Sequence, residues 1–395
     1  MFEHFQLAPP DPILGLNSVF EKDPRSEKLN LTVGVFKDDE GRTPILDSVK
    51  RAERKIVETQ KSKGYLPIEG GKDFIDQVNR LVLGNDIDFG RVATAHTPGG
   101  TGALRAAADT LAKILPGRTA WMSSPTWTNH IAIFEAARFA TKSYAYLDAS
   151  KTGLDFQGML DQLDRDALPG DIVLLHGCCH NPTGIDPTHQ QWEEISKLLA
   201  KKRLLPLIDF AYQGFGDGIV EDALPLRVMM KHHSELAVCA SFSKNFGLYS
   251  ERVGALLLIS ERSESTEAVL SQMRTAIRCN YSNPPRHGEA IVATILGDEE
   301  LARAWRGEVD QMRARISGMR NAFIDGMKKR GRDFGFLATQ KGMFSYTGLN
   351  AMQADWLKKE KGIYIVGTGR INVAGLTTSS MAAVCDAVDE ACALA

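Results

Sequence analysis

The sequence predicts an α/β protein: a large domain with a mostly parallel sheet covered by helices, plus a smaller α+β domain. Two observations predict it. Through the middle of the chain, short apolar runs alternate with amphipathic helical patterns, which argues for strands joined by helical crossovers. Beyond about residue 300 this rhythm gives way to one long helical stripe and then to short strands. Functional residues in open sheets of the first kind gather at the C-terminal ends of the strands.

In chain order, Thr97-Pro-Gly-Gly-Thr-Gly102 reads as a glycine loop ahead of a helix with Leu104, Ala107, Ala108 and Leu111 on one stripe. Residues 120–123 read as a strand, 130–139 as a helix, and 143–147 and 172–176 as strands. Thr188 with Gln191 forms a capping box; it opens a helix that turns Trp192, Ile195, Leu198 and Leu199 inward. The runs ending at Asp209 and Lys244, and Val253–Ile259, are strands. Leu301, Trp305, Val309, Met312, Ile316, Met319, Phe323 and Met327 recur every three or four residues. They predict a single amphipathic helix on the order of 40 Å long. Short strands at 342–346, 363–366 and 371–373 follow.

The 395 residues suffice for two domains. With 47 basic and 49 acidic residues, no overall field favours nucleic acid or an anionic membrane. The first ten residues lack the basic flank and apolar core of a signal peptide, and no apolar run approaches the roughly 18 residues of a spanning helix. Six cysteines are too few for a disulfide scaffold and no C-x-x-C occurs. His176, Cys178, Cys179 and His180 therefore read as packing after a buried strand, with no metal expected, and the thiols point to the cytoplasm.

Lys244 carries the most chemistry. It follows a buried run, between Ser241, Ser243 and Arg252. A desolvated lysine amine is a nucleophile whose characteristic product is a Schiff base with an aldehyde, and serines with an arginine suit a phosphate. Aldehyde plus phosphate suggests pyridoxal phosphate (PLP). Asp209 suits the carboxylate that keeps a pyridine nitrogen protonated, and Tyr212 and Asn181 suit donors to a phenolate oxygen. Gly100 and Thr101 offer backbone N–H groups to a phosphate at a helix start. Each feature has a plainer reading: a buried structural lysine, a strand-end turn with a helix cap, an Asn-Pro turn, a tight glycine turn. The dinucleotide fingerprint is absent, because Arg105 holds its third glycine position.

Together these residues resemble the fold-type I PLP-dependent transferases, and closely the class I aminotransferases of the aspartate and aromatic group. The resemblance runs from Asp11-Pro-Ile-Leu-Gly15 to Arg370-Ile-Asn-Val-Ala-Gly375. Its most specific parts are Ser241-x-Ser-Lys-Asn-Phe-Gly-Leu-Tyr-x-Glu-Arg252 and Asn280-Tyr-Ser-Asn-Pro-Pro285. It implies that Lys244 carries PLP and shuttles the substrate proton, with Asp209 on the pyridine nitrogen, supported by His130, and Tyr212 and Asn181 on the phenolate oxygen. Gly100, Thr101, Ser241, Ser243 and Arg252 would take the phosphate, joined by Tyr65 of a neighbouring subunit, and Trp127 would stack on the ring. Trp127 also fits a core tryptophan. Arg370, with Gly34 and Asn181, would clamp the substrate α-carboxylate. Arg278 of the neighbour would clamp a distal carboxylate, selecting aspartate, glutamate and their 2-oxo acids. Ser282, Phe344 and Trp127 would complete the substrate pocket.

The implied organisation is an arm over 1–11, a small domain from 12–44 and 311–395, and a large PLP-binding domain over 45–310, in a homodimer with shared sites. Val35, Lys37, Thr43, Thr101 and Asn283 look like the aspartate type. Gly64, Phe36 and Tyr346 depart from it, so aromatic amino acids are the alternative substrates. A nicotinamide-dependent reductase and a non-catalytic PLP-binding regulator fit less well. The first lacks its fingerprint and an early βαβ unit, and the second would need a basic DNA-binding extension.

Overall fold

The structure is a computed structural model that describes residues 2–7 and 14–394. Residues 1 and 8–11 of the expected arm, and Asp11-Pro-Ile within the first motif, lie outside the described residues. Phe2–His4 form a short, exposed 3-10 turn. The chain divides into two compact units: the described residues of Met1–Thr43, Ile316–Thr339 and Met343–Ala395, and those of Pro44–Arg315 and Gln340–Gly342.

The second unit holds a seven-stranded sheet. In spatial order its strands are Val92–Pro98, Val253–Ile259, Leu236–Ser241, Leu205–Phe210, Ile172–His176, Thr119–Ser124 and Ala140–Ala145. Only Val253–Ile259 runs against the rest. The other strands therefore end along one edge, at Pro98, His176, Phe210 and Ser241 among others. Consecutive residues Ile172–Leu175 and Val253–Leu257 are all buried, as strands covered by helices on both faces must be. On one face Ala103, Ala107 and Leu111 of the helix Gly99–Leu111 pack on Leu174, Leu207, Cys239 and Leu256. Alanines there let the helix sit close to the sheet.

The expected strands mostly form where their apolar runs lie. The expected strand at 143–147 forms instead at Ala140–Ala145, the sheet's outer edge, where half-buried Thr141 and exposed Lys142 and Ser143 leave little apolar pattern to read. Val92–Pro98 carries only small and polar residues beyond Val92, so the alternation did not disclose it. The glycine loop is also corrected: Gly99 and Gly100 are not ahead of the helix but form its first turn, entered through Gly99 at φ 70°.

The first unit is α+β. Leu29–Asn30 pairs in parallel with Ile363–Tyr364, and Arg370–Asn372 pairs antiparallel with Phe344–Tyr346. Around them lie the helices Leu14–Lys22, Ala351–Lys361 and Met381–Cys392. The long helix is observed as Glu299–Lys328, and the boundary between units falls within it. Its stripe is core as expected, with Trp305, Val309 and Phe323 fully buried. No helix among the described residues is long and apolar enough to cross a membrane.

Candidate active site

Sheet edge and chemistry coincide at the ends of three strands. Leu236–Ser241 is buried throughout and delivers Ser241, Ser243 and Lys244. The chain then turns through Gly247 (φ 63°) and Arg252 (φ 54°) into the strand Val253–Ile259. Arg252 is thereby returned to the same edge, with Nη1 3.4 Å from Ser243 Oγ. A Cβ at Gly99 would stand 2.5 Å from Arg252 Nη2, and one at Gly100 would stand 3.1 Å from Ser241 Cβ. Glycine backbone, two hydroxyls and a guanidinium thus meet at a helix N-terminus, with Thr101 in the same first turn. That donor set fits a phosphate.

Burial lowers the Lys244 amine to about 8, with the Arg252 charge adding to the effect and Asp209 opposing it. A lysine in that state is neutral often enough to attack a carbonyl. Its Nζ lies 4.9 Å above the centre of the Tyr212 ring. Asp209, one residue before the end of its strand, is nine-tenths buried. Burial pushes its carboxyl up, but the hydrogen bond from His130, with the positive field of its neighbours, holds it below the usual value. A fixed anion of this kind fits a pyridine nitrogen that must stay protonated.

His130 does not act alone. Its Nε2 is 2.9 Å from Asp209 Oδ2 and its Nδ1 is 2.9 Å from Thr126 Oγ1. Thr126 Oγ1 also lies 3.1 Å from His176 Nε2, and the Asn181 peptide N–H donates to His176 Nδ1 at 3.3 Å. Because a peptide N–H can only donate, His176 Nδ1 is the acceptor and Nε2 carries the hydrogen. The Thr126 hydroxyl hydrogen is then left for His130, whose Nε2–H points at Asp209. Burial lowers His176 to about 3, so this ring stays neutral.

The sequence does not disclose Thr126 or His176; His176 reads there as packing beside the cysteines. The usable signal was its position, at the end of a buried strand in register with Asp209. Trp127 is half-buried, T-shaped against His130 at 5.2 Å, and packed on the apolar core. Cys178, Cys179 and Asp222 bring two sulfurs and a carboxylate within 4.8 Å of one another. Asp222 already accepts the N–H groups of Gly214, Gly216 and Asp217, and burial pushes the Cys178 thiol well up. The group anchors a turn.

Tyr65, Arg278 and Ser282 line a surface cleft of the same unit. Tyr65 is 96% exposed. The Arg278 guanidinium donates to Ser282 Oγ, which donates to Asn283 Oδ1 at 3.1 Å, and Asn283 Nδ2 holds the Leu66 carbonyl at 2.8 Å. In the first unit, Arg370 is buried, donates to the Thr32 carbonyl and lies 4.1 Å from the centre of the Phe344 ring. A Cβ on Gly34 would come within 2.6 Å of Phe344 Cζ, so only glycine leaves the ring its place beside the guanidinium.

A lysine poised for a carbonyl, facing a buried anion and a phosphate cradle on an open α/β sheet, defines a class of cofactor-bearing enzymes. The chain belongs to the aminotransferase class I and II family, whose model matches residues 26–388. It is 49% identical over 393 residues to an aspartate aminotransferase of Salmonella typhi, covering 98% of this chain and 99% of that one. It is 44% identical to an aromatic-amino-acid aminotransferase of Pseudomonas aeruginosa, over 98% of both chains. Among solved structures, an aromatic-amino-acid aminotransferase from Burkholderia pseudomallei, covalently bound to pyridoxal phosphate, superposes with a TM-score of 0.96. Its identity is 45%, with 99% of each chain covered.

Proposed function

We propose that this enzyme is a PLP-dependent aspartate aminotransferase, moving an amino group between L-aspartate and 2-oxoglutarate to give oxaloacetate and L-glutamate. The observation that carries the reading is the Lys244 amine, lowered to about 8, between the Asp209–His130 pair and the Gly100–Ser241–Arg252 cradle. The near-half identity to an aspartate aminotransferase along the whole chain supports the substrate.

PLP supplies an electron sink for the carbanion at the substrate Cα. The chain supplies the rest. Arg252, Ser241, Ser243, Gly100 and Thr101 would hold the phosphate. Asp209, fixed by His130, would keep a proton on the ring nitrogen, and Tyr212 and Asn181 would donate to the phenolate oxygen. Trp127 would stack on the ring. Lys244 would hold the cofactor at its aldehyde carbon, and its amine, once free, would be the base for the substrate Cα proton. Arg370, with the Gly34 backbone and Phe344, grips the α-carboxylate in the two-point fork that only guanidinium offers. One pocket serves both half-reactions, so kinetics are ping-pong.

Tyr65, Arg278 and Ser282 serve the site of a second subunit, in a homodimer whose large PLP-binding domain spans 45–310. The exposure of Tyr65 and its neighbourhood to Arg278 support this. Six free cysteines suit the cytoplasm.

Arg278→Ala tests the substrate assignment. It should lower kcat/KM for aspartate by about 100-fold, the loss expected when one partner of a desolvated ion pair goes, and phenylalanine much less. Equal losses would contradict it. Aromatic transamination is the second reading. It is favoured by Gly64, Phe36 and Tyr346 and by the aromatic relative. A kcat/KM for phenylalanine above that for aspartate would establish it.

A further inference from the structure

We propose that Asn372 is a positioning residue for the substrate α-carboxylate: it fixes the Gly34 backbone in register with Arg370. The inference rests on the reading of Arg370 and Gly34 as the α-carboxylate clamp and adds what holds the two together.

Arg370 and Asn372 are two apart on one short strand, so they leave the same face of it. Both reach the segment 32–35. Arg370 Nη2 donates to the Thr32 carbonyl. Asn372 Nδ2 donates to the Val33 carbonyl at 2.7 Å and to the Val35 carbonyl at 2.9 Å, the two carbonyls that flank Gly34. The amide's orientation follows from its other end. Oδ1 accepts the peptide N–H of Ala374 at 3.1 Å, and a peptide N–H can only donate. The NH2 group therefore faces the two carbonyls. The side chain is 1% exposed.

The segment it grips is a tight one. The Val35 N–H donates to the Val33 carbonyl at 2.9 Å, a three-residue turn centred on Gly34. Such a turn has a single internal hydrogen bond, and the glycine at its centre has wide backbone freedom. The two Asn372 bonds remove that freedom on either side of it. The Asn372 N–H adds a third tie, to the Leu31 carbonyl at 2.8 Å, and the Lys37 N–H donates to the Ala374 carbonyl at 3.1 Å. One strand thus presents the cation and sets the backbone that works with it. Neither alanine nor leucine can do this at 372, because the two donors must diverge from one planar group.

The test is equilibrium binding of succinate, a dicarboxylate without an amino group, to the PLP-loaded enzyme by calorimetry. Wild type, Asn372→Ala, Asn372→Asp and Arg370→Ala are compared, with the visible spectrum recorded for each. Asn372→Ala is expected to weaken succinate at least about tenfold, in line with the loss of two buried hydrogen bonds, while the cofactor spectrum stays unchanged. In steady state KM for aspartate rises more than kcat falls. Asn372→Asp keeps the shape but faces the two carbonyls with a carboxylate. Its defect relative to wild type should shrink as pH falls and the carboxyl regains a donor. That comparison holds within one folded protein even if the alanine variant is unstable. Succinate binding within twofold of wild type in both Asn372 variants, with Arg370→Ala impaired, would overturn the proposal and leave the clamp standing. Unimpaired binding in Arg370→Ala would remove the clamp itself.

Discussion

At the scale of single residues, the fold sets charge states before any substrate arrives. Lys244 is a lysine whose amine burial has lowered to about 8. Only the neutral amine attacks an aldehyde, and the neutral fraction is half at that pH. The rate at which PLP-free protein captures PLP should therefore climb as pH rises through about 8 and level off above it. Stopped-flow absorbance checks this; a rate still climbing steeply near pH 10 would show an ordinary lysine. Lys244 and Asp209 were legible in the sequence because a charged residue at the end of an apolar run has few reasons to be there. His176 and Thr126 were not, because their roles depend on a chain of hydrogen bonds linking residues 126, 130, 176, 181 and 209, and no local pattern encodes it. Asn372 was equally hidden: an asparagine at the end of a strand also reads as a cap, and it is one here.

At the scale of elements, the helix Gly99–Leu111 and the strand Val253–Ile259 hold the phosphate cradle by close approach of backbone. A Cβ on Gly254 would come 2.4 Å from the Gly99 carbonyl carbon, and one on Gly99 would meet the Arg252 guanidinium. Gly99 also sits at φ 70°, where alanine is strained by about 1–3 kcal/mol. Gly99→Ala is expected to lower Tm and to weaken PLP binding at least about tenfold, since a charge-assisted hydrogen bond is worth about 1.5–3 kcal/mol. Fluorescence titration of PLP-free protein measures it; an unchanged Kd would mean that the cradle lies elsewhere. The buried parallel strands were readable as apolar runs because helices cover both faces. Val92–Pro98 was not, since its burial comes from the neighbouring strand and helix rather than from its own side chains.

At the scale of the whole molecule, the proposed homodimer gives Arg278 and Tyr65 their role, completing the site of a second copy. Lys244→Ala and Arg278→Ala should each be nearly inactive on aspartate alone. Mixed in equal amounts and allowed to exchange subunits, half the dimers become hybrids, and each hybrid holds one site free of both changes. Activity should rise to about a quarter of wild type. A mixture no more active than its parts would place all the catalytic residues within one chain. The two-unit plan was visible in the change of periodicity near residue 300, whereas no surface pattern in the sequence announced the second subunit.

The central claim, a PLP transaminase acting through Lys244 on aspartate, is tested most directly by the absorption spectrum of the PLP-loaded protein during a half-reaction. Aspartate alone should abolish the visible band of the lysine-bound cofactor and release about one equivalent of oxaloacetate per site, and 2-oxoglutarate should restore the band. A protein that shows no such band after incubation with PLP, or one whose band ignores aspartate, would contradict the account.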